Sequence, residues 1–213
     1  MRQRILSLLL LLLSAGGLAY PATLIDFDSL SDGDSITNQL AGQGVTFQNA
    51  IALTAGLSLN EFEFPPFSGS SVLGDNGGPI IILFSALQSM VFANFTYATP
   101  VTIEAFGATN VSLGMVSSAP GCASNRQLTG TAGCPSNEQL TLLGIGSIAR
   151  ITITASPGGN SFALDDLTFE AASVTVPEPS SLVIAGSALA ALGLLRRAVV
   201  RRNQTPTIRS ISA

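Results

Sequence analysis

The stretch PVTIEAF, residues 100–106, alternates apolar and polar side chains: Val101, Ile103 and Ala105 fall on one face, Thr102 and Glu104 on the other. A helix would need a repeat near ~3.6 residues, so this segment predicts a half-buried strand of an antiparallel sheet. Related runs extend outward from it in both directions. TLIDF, GVTFQNA, IALTAG, SSVLG, PIIILF and SMVFANFTY precede it, and NVSLGMV, QLTLLG, ARITITA and FALDDLTFE follow. Turn-forming clusters separate them, among them Ser31-Asp32-Gly33, Asp75-Asn76-Gly77-Gly78 and Ser156-Pro157-Gly158-Gly159-Asn160. No strongly helical segment lies between the runs, which argues against a βαβ fold. About ten short strands over residues 23–172 predict an all-β domain, a jelly-roll-like antiparallel β-sandwich.

The last run changes phase. Phe162 and Leu164 share one parity, while Leu167 and Phe169 continue the apolar pattern on the other. One extra residue at Asp165-Asp166 would reconcile the halves, so a β-bulge is predicted there, re-aiming at least one aspartate. The first run, LIDFDSL, sets Asp26 and Asp28 on the face opposite Ile25 and Phe27. If the first and last strands pair, these carboxylates could meet those of Asp165 and Asp166.

The two ends of the chain read as targeting segments. Arg2 and Arg4 precede the apolar run 5–13, and Gly17-Leu18-Ala19 offers the small-x-small pattern of signal-peptidase sites, so residues 1–19 form a signal peptide, with cleavage after Ala22 as the alternative. Residues 181–195 form an uncharged Ala/Leu/Gly segment. At a rise of ~1.5 Å per residue this covers about 22 Å of a ~30 Å hydrocarbon core, so a spanning helix needs flanking residues and is taken over 181–200. Arg196, Arg197, Arg201 and Arg202 follow, and retention of that cluster on the cytoplasmic side puts the body outside. Pro177 and Pro179 mark 173–180 as a stiff linker, and 201–213 is a short tail.

Val176-Pro177-Glu178-Pro179, the serine pair 180–181, the short apolar helix and the arginines together resemble the PEP-CTERM sorting signal of Gram-negative bacteria, also labelled an ice-binding-protein C-terminal domain. The resemblance covers about residues 176–202. It implies recognition by exosortase, a membrane cysteine protease, and secretion by cells that make exopolysaccharide. The localisation it implies is export through the inner membrane, transient anchoring by the C-terminal helix, then the cell surface or exterior. A plain membrane anchor that is never cleaved is the alternative.

With those ends set aside, residues 23–172 keep twelve acids against two arginines, Arg126 and Arg150, so the body carries about −10. That charge excludes nucleic acid as a partner, because phosphate binding draws on basic side chains. Cys122 and Cys134 stand in a Gly/Ser/Thr-rich loop, and in an exported chain a disulfide is expected; the alternative is a reactive thiol or half a metal site. The chain has no histidine and no lysine. Catalytic triads of the common kinds are therefore unavailable, and no enzymatic activity is expected. A carboxylate-dependent glycosidase would need two acids facing each other across a cleft.

The runs IDFDSL, SGSSVLG and FALDDLTFE also resemble exported galactose-binding-like and carbohydrate-binding-module sandwiches. That resemblance implies a structural calcium ion held by Asp26 or Asp28 together with Asp165 or Asp166, in a shell of carboxylate and carbonyl oxygens. A solvated, acidic strand end is the alternative. For function, a non-catalytic surface or matrix protein associated with the envelope or with exopolysaccharide is expected. A glycan-binding module with a specific sugar site is the second reading, although the body has no tryptophan and Tyr97 is its one tyrosine beyond the signal junction. Phe62, Phe64 and Phe67, around Pro65-Pro66, could offer a platform for a sugar, but are expected instead to pack as a staple over one end of the core.

Overall fold

The computed structural model describes residues 21–172 and Leu189. The sorting residues 176–179, the topology arginines and the predicted signal peptide lie outside the described residues, as does all of the 181–200 segment except Leu189. The chain divides into two compact units, Met1–Ser173 and Val174–Ala213. In the second, Leu189 is helical and exposed. Among the described residues no helix is long and apolar enough to cross a membrane.

The first unit is the all-β sandwich. Its strands in chain order are β1 (Thr23–Ile25), β2 (Ser35–Ile36), β3 (Val45–Gln48), β4 (Ala50–Thr54), β5 (Ser71–Asp75), β6 (Ile80–Tyr97), β7 (Thr102–Phe106), β8 (Ser112–Ser117), β9 (Glu138–Thr154) and β10 (Phe162–Ala171), with one 3-10 turn at Ala41–Gln43. All pairings between these strands are antiparallel. One layer runs β2-β4-β5-β10, then the second half of β6 and the first half of β9, with β1 against the end of β10. The other runs β3, the first half of β6, the second half of β9, β7 and β8. The two long strands therefore serve both layers, and the interior between the layers is a continuous apolar core.

Four of the sequence runs fuse into these two strands, because the inward parity switches midway. In β6 the buried apolar residues are Ile80 and Ile82, then Val91, Ala93, Phe95 and Tyr97. In β9 they are Leu140, Leu142 and Ile148, then Ile151 and Ile153. A strand that leaves one layer for the other presents its opposite side to the core, and an irregularity must absorb the change. The β6–β9 register shifts on either side of Gln88, and in β9 Gly144 and Gly146 take φ of 71° and 108°, a region that side chains with a Cβ rarely enter. The PVTIEAF segment behaves as expected: Val101, Ile103 and Ala105 are buried, with β7 flanked by β8 and β9.

β1 does pair with β10, but it is shorter than the sequence suggests. It ends at Ile25, and Phe27 follows with φ of 63°. This turn carries the Phe27 ring into the core, edge-on to Phe47 at 6.3 Å, and leaves Asp26 and Asp28 on an exposed loop.

Candidate functional site

The bulge of β10 organises one end of the sandwich. Register against β6 jumps between Asp165 and Thr168, and Asp166 takes φ of 50°, so the predicted phase change is present at the predicted residues. Asp165 is only 2% exposed. Its Oδ2 accepts the backbone N–H groups of Phe67 (2.7 Å) and Ser68 (2.9 Å), and its Oδ1 accepts that of Asp166 (2.7 Å). Burial pushes its carboxyl up to about 6, against the pull of those N–H donors. Ser68 donates its hydroxyl to Asp166 Oδ1 at 2.7 Å. From the other side Asp28 Oδ1 accepts the backbone N–H groups of Ser70 (2.8 Å) and Ser71 (2.9 Å). Gly69 sits between these anchors at φ of +52°, and a Cβ there would come within 1.6 Å of Asp28 Oδ2.

Three of the four aspartates assigned to calcium thus converge on one loop, 67–71, rather than on one point. Asp26 only caps its own turn, accepting the Asp28 N–H at 3.2 Å. Among the described residues no group of three or more acidic or other ligating side chains could hold a metal. Calcium wants six to eight oxygens in one shell, and the aspartates' donor set does not suit it. In the same placement Asp165 and Asp166 serve as acceptors for the 67–68 loop.

Residues 55–64 fold over the outer side of the first layer. Leu59, Val72 and Ala163 form a second, smaller apolar cluster there, with Leu53, Ala55 and Phe64 packed on it. This corrects the aromatic staple, because only Phe64 is used in it. Phe62 is 68% exposed and Phe67 is 54% exposed, since their loop is held by backbone hydrogen bonds and needs no buried rings. Cys122 and Cys134 form the expected disulfide, with Cα atoms 5.7 Å apart. Buried Asn125 fixes this second loop: its side-chain oxygen accepts the Tyr97 N–H (2.6 Å) and its amide donates to the Phe95 (2.9 Å) and Pro135 (3.1 Å) carbonyls. The Tyr97 hydroxyl donates to Glu138 Oε2 at 2.7 Å; burial first, then that carboxylate, pushes it up to about 12. The two loops are joined through Glu63, whose carbonyl accepts the Gln127 N–H (3.0 Å) and whose carboxylate accepts those of Leu128 (3.4 Å) and Thr129 (3.2 Å).

Beneath the 55–64 segment lies a cavity of about 180 Å³. Gly74 of β5 and Phe162 and Ala163 of β10 contribute the sheet side, with the Phe162 ring itself turned into the main core against Phe95; Leu53, Leu59 and Phe64 give apolar walls, and Ser58, Asn60 and Asn160 polar groups. Asp75 supports this site, a role the sequence did not reveal because it stands in a turn-like Asp-Asn-Gly-Gly. It is buried, and its carboxylate accepts the Ser161 N–H (2.8 Å), the Ser161 hydroxyl (2.9 Å) and the Phe162 N–H (3.4 Å), while its carbonyl accepts the Asn160 N–H (3.0 Å). Ser58 and Asn60 were equally silent in the sequence, since nothing around them departs from an ordinary loop.

Residues 175–198 match the family model described as the PEP-CTERM protein-sorting motif. No curated protein matches the sequence. Among solved structures, a DUF4465 family protein from Bacteroides caccae is 12% identical, with 70% of this chain and 98% of that chain covered and a TM-score of 0.42. A mutant of the family 29 carbohydrate-binding module CBM29-2 is 11% identical, covering 71% and 92%, with a TM-score of 0.37. The cleaved adhesin domain of Lys-gingipain from Porphyromonas gingivalis is 13% identical, covering 73% and 95%, with a TM-score of 0.36. All three likenesses are loose.

Proposed function

We propose that this chain is a non-catalytic, exported surface or extracellular-matrix protein, delivered by exosortase and associated with the envelope or with exopolysaccharide. The observation that carries the proposal is the sorting motif at 175–198. In this reading Pro177-Glu178-Pro179 is the recognition element, 181–200 presents it within the membrane, and Arg196, Arg197, Arg201 and Arg202 fix orientation. The signal peptide over 1–19 starts export, and the second apolar segment holds the chain at the membrane until it is processed. In a host with its own sorting system, the mature C-terminus found by intact mass should fall near residues 177–181, and Glu178→Ala should abolish that cleavage. A C-terminus at Ala213 in both would replace sorting by a simple membrane anchor.

A second reading, a glycan-binding module, is supported by a separate observation. Phe62 and Phe67 are large, exposed rings on a loop held by Asp165, Asp166 and Glu63. Exposed aromatic rings on fixed loops are surfaces on which sugar faces stack.

A further inference from the structure

We infer that the cavity between residues 55–64 and the outer side of β4, β5 and β10 is a binding pocket for one neutral sugar ring. The inference rests on the glycan-binding reading and gives that reading a location distinct from the exposed rings of Phe62 and Phe67.

The cavity's chemistry selects the ligand class. None of its lining residues is charged, so an ionic ligand would be desolvated there without a counter-charge. Its volume of about 180 Å³ is below the ~300–1,000 Å³ of pockets that enclose drug-sized molecules, which suits a single ring. Phe64 and the leucines offer an apolar wall for the C–H face of such a ring. The polar lining residues are Ser58, Asn60 and Asn160. The Ser58 hydroxyl donates to Asp32 Oδ1, so what it has left to present is acceptor capacity. Asn60 and Asn160 are exposed; among the described residues their side-chain amides have no hydrogen-bond partner, and each offers both a donor and an acceptor. Sugar hydroxyls, which also donate and accept, match that set.

The backbone that carries these groups is held before any ligand arrives. The Asn60 carbonyl accepts the N–H groups of Glu63 (3.1 Å) and Phe64 (2.8 Å), closing a tight turn. Asp32 Oδ1 also accepts the Thr54 N–H at 2.8 Å, tying the 55–64 segment to β4. Asn160, at φ of 53°, is fixed by Asp75. Small residues keep the space open. A Cβ on Gly74 would come within 2.8 Å of Leu53 Cδ1, so a larger residue there pushes Leu53 and reshapes the cavity. A backbone already ordered around an apolar wall lowers part of the ordering cost of binding.

The test uses the full-length chain and retention on immobilised neutral polysaccharides (β-glucan, xylan, galactomannan) with competition by glucose, xylose, mannose and galactose. Asn60→Ala and Asn160→Gly, the latter keeping the positive φ, should each weaken retention at least about tenfold, the scale of one lost polar contact. Thermal midpoints should be unchanged, and Phe62→Ala should bind as the parent does. Retention that survives both asparagine variants but falls in Phe62→Ala or Phe67→Ala overturns the pocket and leaves the glycan reading standing. So does retention on an acidic polysaccharide alone. No retention of the parent chain on any polysaccharide overturns the reading together with the pocket.

Discussion

Asp165 is a buried acid that serves structure, and its cost depends on pH. Burial raises its carboxyl from the ordinary 3.8 to about 6 in the folded chain. Between those values the native state holds a proton that the unfolded chain has released, so stability from this group is present at low pH and is lost as pH rises through about 6. Two other carboxyls work in the opposite direction. The Ser58 hydroxyl holds Asp32 low, and at Glu63 the hydrogen bonds from Thr129 and Leu128 outweigh the upward effect of burial. Comparing the parent with Asp165→Asn at each pH cancels those shared contributions. The parent should gain stability relative to the variant as pH falls from about 7 to about 4, with no further relative gain below the ordinary carboxyl range. Denaturant midpoints measured across that interval test it. Parallel pH curves for the two proteins would show that Asp165 has an ordinary carboxyl.

At the scale of elements, the 67–71 loop is held at both ends by carboxylates, with a glycine in the one position where a side chain would strike a carboxylate. Gly69→Ala adds strain at φ of +52° and displaces the Asp28 side chain from Ser70 and Ser71. A loss of about 1–3 kcal/mol in unfolding free energy is expected. A loss below about 0.5 kcal/mol, within the range of an ordinary surface change, would mean that Asp28 does not anchor the loop. The sequence announced part of this arrangement. Leu164 and Leu167 showed the phase change because apolar residues on opposite parities cannot face one core without a bulge, and β7 was legible because it is regular throughout. The doubling of β6 and β9 was hidden, since a parity switch within one strand looks the same as two strands. The partners of Asp28 and Asp165 were hidden too. They are backbone N–H groups some 40 and 100 residues away in chain order, and a main-chain donor leaves no mark in the sequence.

Across the whole molecule, the acidic charge of the body and the question of calcium meet. A body near −10 repels itself, and any added salt relieves some of that repulsion by screening. A rise in stability with calcium would therefore not by itself reveal a site. A bound ion differs by being selective and saturable: at a free concentration ~100 times its Kd it adds about 2.7 kcal/mol, worth roughly 5–11 °C in the midpoint of a chain this size. The aspartates here hold a loop instead of gathering around a point, so the thermal midpoint should move by less than about 1 °C between chelator and millimolar calcium at matched ionic strength, and magnesium should behave as calcium does. A selective, saturable rise of several degrees with calcium alone would overturn this, and its loss in Asp28→Asn or Asp166→Asn would return those residues to the ligand set. Because Asp28 also anchors 70–71, the decisive comparison is whether Asp28→Asn lowers the midpoint equally with and without calcium, as a loop anchor must, or only in its presence, as a ligand would.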